Sequence, residues 1–243
     1  MSTILIVGAN SDIAKATARI YASNGYDLIL TVRDNNQLQQ FSKDLEIRYE
    51  CKVKVLVLDI LAYDSHDSVY QSINKNLAGV IVAVGYLGDQ DKAEQSFTET
   101  QLTINSNFTG VVSLLNIVAN DFEKRKSGFI VAISSVAGER GRKKNYIYGA
   151  AKAGLTTYLS GLRNRLHDKS INVLTVNPGF VASKMTKDLD LPEKLTAQPK
   201  EIGQAIYTAQ QKGKDTLFYL KKWRLIMWII RMIPERIFKR LDL

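Results

Sequence analysis

Apolar, β-branched runs alternate with helical segments along the chain, and this alternation restricts the folds available to it. Six runs are apolar nearly throughout, as in parallel strands buried on both faces, at 3–9, 27–33, 52–59, 78–85, 128–135 and 171–179. Helical segments follow them at 12–24, 36–48, 64–76, 98–125, 145–167 and 199–212. A seventh strand is predicted at 215–220. The pattern predicts one α/β domain with a doubly wound parallel sheet, residues 1–220, and a C-terminal amphipathic helical appendage, residues 221–243.

Composition excludes several classes of protein. The chain has 243 residues, 45% of them hydrophobic, and a net charge of +9, but no zinc-finger, basic-zipper or ribonucleoprotein motif, so nucleic acid is not an expected partner. A single cysteine, Cys51, rules out an internal disulfide and favours a reducing cytosol. The start of the chain lacks the features of a signal peptide. The two histidines lack ligand spacing, and no metal site is predicted.

The turn after the first strand reads GANSDIA, from Gly8 to Ala14. Gly8 permits a tight turn, and the helix that follows presents free N–H groups and a positive dipole end to a pyrophosphate. The candidate cofactor-binding residues in this turn are Gly8, Asn10, Ser11 and Ile13. Asp12 and Ala14 replace the usual glycines, and Asp12 places a carboxylate near a bound anion. Taken alone, this turn is weak evidence, because an ordinary strand-to-helix turn could have the same sequence.

A Tyr-x-x-x-Lys pair is the stronger catalytic signal. On helix 145–167, Tyr148 and Lys152 share one face because they are four residues apart. A neighbouring ammonium lowers the pKa of a phenol and makes it usable as an acid or base. Ser135 ends the fifth strand thirteen residues before Tyr148, and Asn107 lies on the preceding helix.

With these residues in place, the chain is seen to resemble the short-chain dehydrogenase/reductase family over about residues 3–220. The ordered set that carries the resemblance is Gly8, Asp59, Asn107, Ser135, Tyr148 with Lys152, and Pro178-Gly179. The resemblance implies a Rossmann-type fold and an NAD(P)-dependent enzyme. One departure is Val82-Ala83-Val84-Gly85, where the family has Asn-Asn-Ala-Gly.

The resemblance also implies roles for individual residues. Tyr148 would give a proton to a substrate carbonyl oxygen, which Ser135 would hydrogen-bond. Lys152 would lower the pKa of Tyr148 and hold the nicotinamide ribose, and Asn107 would position a water. The remaining implied cofactor contacts are Asp59, Ile60, Gly85, Pro178, Gly179, Val181 and Ser183.

The end of the second strand bears on the choice of cofactor. An acidic residue there suits the ribose hydroxyls of NADH, and a cation suits the 2′-phosphate of NADPH. Val32 occupies the usual acidic position and Arg33 follows it, which favours NADPH over NADH. Asp34 leaves NADH as the alternative, and Arg33 as a solvated turn residue is the other interpretation.

Segment 138–145, GERGRKKN, lies between Ser135 and Tyr148 and holds four cations within five residues. Such clusters bind phosphate groups, so Arg140, Arg142 and Lys143 are candidate substrate residues; a solvated loop is the alternative. This loop, the Tyr86-Leu87-Gly88-Asp89 segment and the Ile233–Phe238 stretch resemble the decaprenylphosphoryl-2-keto-ribose reductases of bacterial cell-wall biosynthesis. That resemblance implies a substrate linked to a polyprenyl phosphate and an upstream flavin oxidase as partner, although those reductases are associated with NADH.

Three functions therefore remain open: a reductase of polyprenyl-phosphate-linked keto-sugars, a reductase of another amphipathic carbonyl such as an acyl chain or nucleotide-sugar, and an inactive membrane-associated scaffold. The complete catalytic set argues against the scaffold. A homo-oligomer is expected.

The C-terminal segment predicts a helix that lies on a membrane. Leu225, Trp228, Ile229 and Met232 share a helical face, cations flank them, and Trp223 and Trp228 suit the headgroup region. The apolar run is too short to span a bilayer, and Pro234 is expected to break the segment in two. The predicted location is the cytoplasm, at the inner face of the membrane. The alternative is that the apolar face packs on the protein itself or in a dimer.

Overall fold

Seven parallel strands form one sheet in the computed structural model of the protein, which describes residues 2–73, 75 and 77–241. The strands of this sheet, together with two short ones, are β1 Thr3–Val7, β2 Asp27–Val32, β3 Val53–Val57, β4 Leu77–Val82, β5 Phe129–Ile133, β6 Asn172–Pro178, β7 Phe180–Val181, β8 Thr196–Ala197 and β9 Thr216–Tyr219. The order in the large sheet is β3-β2-β1-β4-β5-β6-β9, and β7 pairs with β8 separately. The predicted doubly wound α/β fold is confirmed, including the seventh strand at the edge, whereas the β7–β8 pair was not foreseen.

The helices cover both faces of the sheet. They are α1 Asp12–Ser23, α2 Gln39–Tyr49, α3 His66–Gln71, α4 Gln90–Gln95, α5 Phe97–Ile104, α6 Gly110–Arg125, α7 Tyr146–Leu166, α8 Pro199–Gln211, α9 Lys221–Met232 and α10 Glu235–Phe238. One core packs α1, α2 and α8 on the sheet, and the other packs α3, α6 and α7 on the opposite face. The predicted helix 64–76 is shorter in the structure, where α3 covers His66–Gln71. Residues 74 and 76 of that prediction, and residues 1, 242 and 243 of the predicted domains, lie outside the described residues.

The predicted helix 98–125 is continuous but contains a π-helical turn, Asn105–Thr109, between α5 and α6. Single π turns of this kind often occur at functional sites. Within the described residues, only the segment Phe97–Arg125 is long and apolar enough to cross a membrane by length and composition, and half of its most apolar stretch is buried. It packs on the sheet as a core helix.

The C-terminal segment folds onto the body of the protein. Trp223 and Met227 on α9 are buried and pack with Val136 in a third, smaller core. Trp223 donates a hydrogen bond from Nε1 to the carbonyl oxygen of Leu195 at 3.1 Å. Burial of Trp223 corrects the prediction that it lies at a headgroup region, and it fits the alternative that one face of the helix packs on the protein. The break at Pro234, between α9 and α10, is confirmed.

Candidate active site

A cleft of about 520 Å³ opens at the carboxyl ends of the central strands, where ligands bind in open α/β sheets. All the predicted cofactor-binding residues line it: Gly8, Asn10, Ser11, Ile13, Arg33, Asp59, Ile60, Gly85, Tyr148, Lys152, Pro178, Gly179, Val181 and Ser183. Ser135 and Arg142 line it as well. Residues from six strand ends therefore meet in one elongated cavity.

The wall next to α1 is built to approach a ligand closely. Gly8 has a φ of +76°, and a Cβ there would lie 3.0 Å from the backbone nitrogen of Val84, so a larger residue would be strained and crowded. Ser11 caps α1 by accepting a hydrogen bond from the Ala14 backbone N–H at 3.1 Å. These features fit the pyrophosphate of a dinucleotide at the start of α1.

Asp12 has a contact that the sequence did not suggest. Its Oδ2 atom accepts a hydrogen bond from the backbone N–H of Lys184 at 2.7 Å. The carboxylate therefore ties α1 to the segment that follows β7, across one end of the cleft. Asp12 acts here as a structural tether, and Lys184 beside it lines the cleft and adds a positive charge.

The loop after β5, which carries Ser135, packs closely against α7 at two glycines. A Cβ at Gly138 would lie 2.7 Å from the Ala153 nitrogen, and a Cβ at Gly149 would lie 2.8 Å from the Ala137 carbonyl oxygen. Because both glycines lack a side chain, the loop after β5 lies directly against the helix that carries Tyr148. The side chain of Ser135 lies next to Tyr148, and its Oγ atom accepts a hydrogen bond from the Ala137 backbone N–H at 3.1 Å.

Ser134 and Ser135 differ in their surroundings. Ser134 is buried, and its Oγ atom bonds the Lys152 carbonyl oxygen at 3.0 Å and the Thr156 hydroxyl at 2.7 Å. Ser134 therefore holds β5 against α7, whereas Ser135 contacts the phenol. The geometry favours the sequence-based choice of Ser135 over Ser134.

Burial dominates the titration of both Tyr148 and Lys152. It raises the pKa of Tyr148 to about 12, against a smaller opposing effect of the neighbouring Ser135 hydroxyl. It lowers the pKa of Lys152 to about 7. From the sequence, the charge of Lys152 is expected to be the main influence on the pKa of the phenol. In the structure burial is the larger influence, and Lys152 Nζ lies 5.7 Å from the ring centroid of Tyr148.

Lys152 is anchored by backbone oxygens. Its Nζ atom donates to the Ile133 carbonyl oxygen at 3.0 Å and to the Val84 carbonyl oxygen at 3.4 Å, at the ends of two adjacent strands. Only 2% of the residue is exposed. The amine thus lies beneath the cleft floor, close to Tyr148.

Asn107 lies in the π turn, behind the cleft. Its Nδ2 atom donates to the carbonyl oxygens of Tyr86, at 2.6 Å, and Thr103, at 2.8 Å, and its Oδ1 atom accepts from the Tyr86 backbone N–H at 3.2 Å. Asn107 therefore fixes the loop after β4. It does not itself line the cleft.

The predicted substrate cations separate into different environments. Arg142 lines the cleft, and its guanidinium lies 3.9 Å from the Met227 sulfur. Arg140 is instead held by the C-terminal segment: it bonds the Ile230 and Ile233 carbonyl oxygens, pairs with Glu235 at 2.8 Å and stacks on Phe238. Lys143 is exposed and does not line the cleft. Of the three predicted substrate residues, Arg142 lines the cleft. Arg140 and Lys143 lie outside it, so the prediction that they face the substrate site is wrong.

The family described as short chain dehydrogenase matches residues 2–194. The chain belongs to the short-chain dehydrogenase/reductase family. An oxidoreductase of Mycobacterium tuberculosis is 30% identical over 241 residues, covering 98% of this chain and 96% of the relative. Rat 17-beta-hydroxysteroid dehydrogenase type 3 is 30% identical over 237 residues, covering 96% of this chain and 77% of the relative.

Solved structures show the same fold. The short-chain dehydrogenase from Sphingobium yanoikuyae, in complex with NADPH, has a TM-score of 0.85 at 24% identity and covers 97% of both chains. Actinorhodin polyketide ketoreductase, also with NADPH, has a TM-score of 0.80 at 20% identity and covers 90% of this chain and 95% of the ketoreductase. The family member described here is an NAD(P)-dependent oxidoreductase.

The C-terminal segment packs behind residues that line the cleft, in line with the alternative that it packs on the protein itself, but through a helix face that sequence reasoning did not single out. Trp223 packs on Gly179 so closely that a Cβ there would lie 1.9 Å from the indole nitrogen. Phe180 stands edge-on to the same indole at 5.2 Å and lines the cleft. The apolar spacing of Trp223 and Met227, four residues apart, was the available signal.

Proposed function

We propose that the protein reduces a ketone to a secondary alcohol, with NADPH preferred over NADH. The observation that carries this proposal is the Tyr148 phenol, which lies in the cleft beside the Ser135 side chain and close to the buried Lys152 amine. The bound cofactor supplies a hydride to the carbonyl carbon. Ser135 and Tyr148 would hydrogen-bond the carbonyl oxygen, and Tyr148 would give it a proton.

Arg33 supports the choice of NADPH. It is exposed at the end of β2 and lines the cleft, while the side chain of Val32, at the usual acidic position, is buried in the core. No ion pair of Arg33 is seen among the residues that the structure describes. A free guanidinium at this position suits a 2′-phosphate.

Replacing Arg33 with alanine tests the cofactor preference. We expect kcat/KM for NADPH to fall by about 10- to 100-fold, since a charge-assisted hydrogen bond contributes about 1.5–3 kcal/mol, and kcat/KM for NADH to change little. Steady-state kinetics with both cofactors measure this. A wild-type preference for NADH would contradict the assignment and favour the resemblance to the keto-ribose reductases.

Arg142 supports a negatively charged substrate. Burial lowers the pKa of its guanidinium, its Nε atom is buried with no hydrogen-bond partner among the described residues, and none of the ion pairs seen there includes it. An arginine stays charged in such a place, so Arg142 is a cation in the cleft without an ion-pair partner among the described residues. A phosphate or carboxylate on the substrate would supply one.

A polyprenyl-phosphate-linked keto-sugar is one substrate with this chemistry, and the apolar lining residues Leu87, Phe180 and Leu189 could contact its lipid chain. An acyl or nucleotide-linked carbonyl is the alternative. Oxidation of NADPH in the presence of a membrane lipid extract, compared with a panel of soluble ketones, separates the two. Consumption with soluble ketones alone would contradict the lipid-linked substrate.

Replacing Arg142 with glutamine should raise KM for an anionic ketone about tenfold or more and leave KM for a neutral ketone nearly unchanged, because only the former loses a charge-assisted contact. Lys143→Gln is the matched control, since it removes an exposed neighbouring cation outside the cleft. Equal effects of the two substitutions would contradict an anion site at Arg142.

A further inference from the structure

Helix α9 has two apolar faces, and only one of them is covered. The inner face carries Trp223 and Met227, which are 4% and 1% exposed. The outer face carries four large apolar side chains that are half exposed or more, at 59%, 61%, 50% and 67%: Leu225, Trp228, Ile229 and Met232. We call these four residues the outer face.

Positive charge surrounds the outer face. Residues 221–241 contain seven lysines and arginines and one glutamate, a net charge of +6. Arg231 pairs with Glu139, and the one glutamate of the segment, Glu235, pairs with Arg140. The exposed cations on either side of the face are Lys221, Lys222, Arg224, Arg236, Lys239 and Arg240.

We infer that the outer face of α9 binds the surface of an anionic lipid bilayer. The apolar side chains would enter the boundary between headgroups and acyl chains, and the cations would contact the anionic headgroups. Trp228 lies in the middle of the face, and the indole ring prefers this depth. The helix lies in the plane of the surface because its inner face is already packed on the enzyme.

Charge distinguishes the bilayer from a second copy of this chain. Pairing two outer faces would bring two segments of charge +6 together, and like charges across an interface oppose association. An anionic bilayer offers the complementary charge. The bilayer also offers a continuous apolar layer, into which all four side chains of the outer face could insert together.

The position of α9 relates this surface to the active site. Met227, on the inner face, contacts Arg142 in the cleft, and Trp223 packs on Gly179. An α-helix is about 10–12 Å across, so a bilayer on the outer face lies about one helix diameter from the inner-face side chains that contact Arg142 and Gly179, two residues of the cleft lining. If the proposed lipid-linked substrate is correct, the bound enzyme would receive it without its chain leaving the bilayer; the binding itself does not rest on that proposal.

Tryptophan fluorescence and vesicle flotation test the inference with the full chain. The chain has two tryptophans, and Trp223 is buried, so Trp228 reports the environment of the outer face. Vesicles of phosphatidylcholine with phosphatidylglycerol should bind the protein, shift the emission to shorter wavelength and allow quenching by brominated acyl chains. Vesicles of phosphatidylcholine alone, or high salt, should weaken binding.

The variant Leu225→Ser/Ile229→Ser/Met232→Ser keeps the reporter and removes most of the apolar face. We expect its partition to anionic vesicles to fall more than about tenfold, because apolar burial contributes in proportion to area. Ile47→Ser/Phe97→Ser is the control, since these side chains are 82% and 72% exposed elsewhere. Unchanged thermal unfolding and NADPH binding show that each variant is folded.

Equal partition of the α9 variant and the control would overturn the inference, as would a wild-type protein that stays unbound. A wild-type dimer that the α9 variant converts to a monomer would assign the face to a second copy instead. A positive flotation result together with no reductase activity would leave the membrane surface standing and refute the proposed function.

Discussion

Replacing Tyr148 with phenylalanine is expected to lower kcat by about 10²–10⁴-fold, the usual contribution of a general acid or base, while the affinity for NADPH changes little. The substitution removes the phenolic hydroxyl beside Ser135 and leaves the ring in place. Stopped-flow or steady-state measurement of NADPH oxidation gives kcat, and a fluorescence titration gives the cofactor dissociation constant.

The control for this experiment lies two residues away. Tyr146 is on the same helix, 44% exposed and outside the cleft, so Tyr146→Phe should retain wild-type kcat. A Tyr148→Phe variant with more than about a tenth of wild-type kcat would remove the phenol from its proposed role, because that loss is smaller than the range expected for acid–base catalysis.

Lys152→Met is expected to abolish measurable turnover and at the same time to stabilise the cofactor-free protein near neutral pH. Burial makes protonation of the amine unfavourable in the folded state, and among the described residues its hydrogen-bond partners are two neutral carbonyl oxygens rather than a carboxylate. Methionine keeps most of the volume and carries no charge. Activity and stability should therefore change in opposite directions.

The pH dependence of the free energy of unfolding tests this prediction more sharply than stability at a single pH. Burial lowers the pKa of Lys152 from 10.5 to about 7 in the folded protein, so between these values the unfolded chain holds a proton that the folded protein lacks. The wild-type free energy of unfolding should therefore rise with pH across this window, by up to about 1.4 kcal/mol per pH unit from this group. Below about pH 7 Lys152 is protonated in both the folded and the unfolded protein, and the full cost of burying the charged amine opposes folding.

Urea unfolding of the two proteins at pH 7 and at pH 9.5 measures this slope, and the difference between wild type and Lys152→Met isolates the lysine. Lys143→Met, at an exposed position, should show the wild-type slope. Parallel pH profiles for wild type and Lys152→Met would mean that the folded protein does not lower the pKa of this amine.

The strands, the position of the cleft and the Tyr148–Lys152 pair could be predicted from the sequence, because each depends on a local pattern of residues. Buried parallel strands need unbroken apolar runs, so all seven strands were found to within a few residues, and the ligand cleft follows from where such strands end. Tyr148 and Lys152 share a helix face by spacing alone. The cleft therefore gathers the predicted cofactor residues from strand ends far apart in the chain.

Long-range partners could not be predicted in the same way. Arg140, Arg142 and Lys143 look equivalent in a basic loop, and only the docking of α9 separates them, since Arg140 bonds carbonyl oxygens about 90 residues further on. The π turn around Asn107 depends on one extra residue per turn, which leaves no mark in hydrophobic periodicity. The two apolar faces of α9 likewise merge into one amphipathic pattern when only the sequence is available.

The docking of α9 joins parts of the chain that are far apart in sequence. Arg140, in the loop between Ser135 and Tyr148, bonds carbonyl oxygens at the end of α9, and Trp223 packs on Gly179, so the C-terminal helix supports two segments that flank the cleft. A chimaera with a relative that exchanged only the residues after β9 would therefore leave Arg140 without its partners. Such a chimaera should exchange the Arg140 loop together with α9 and α10.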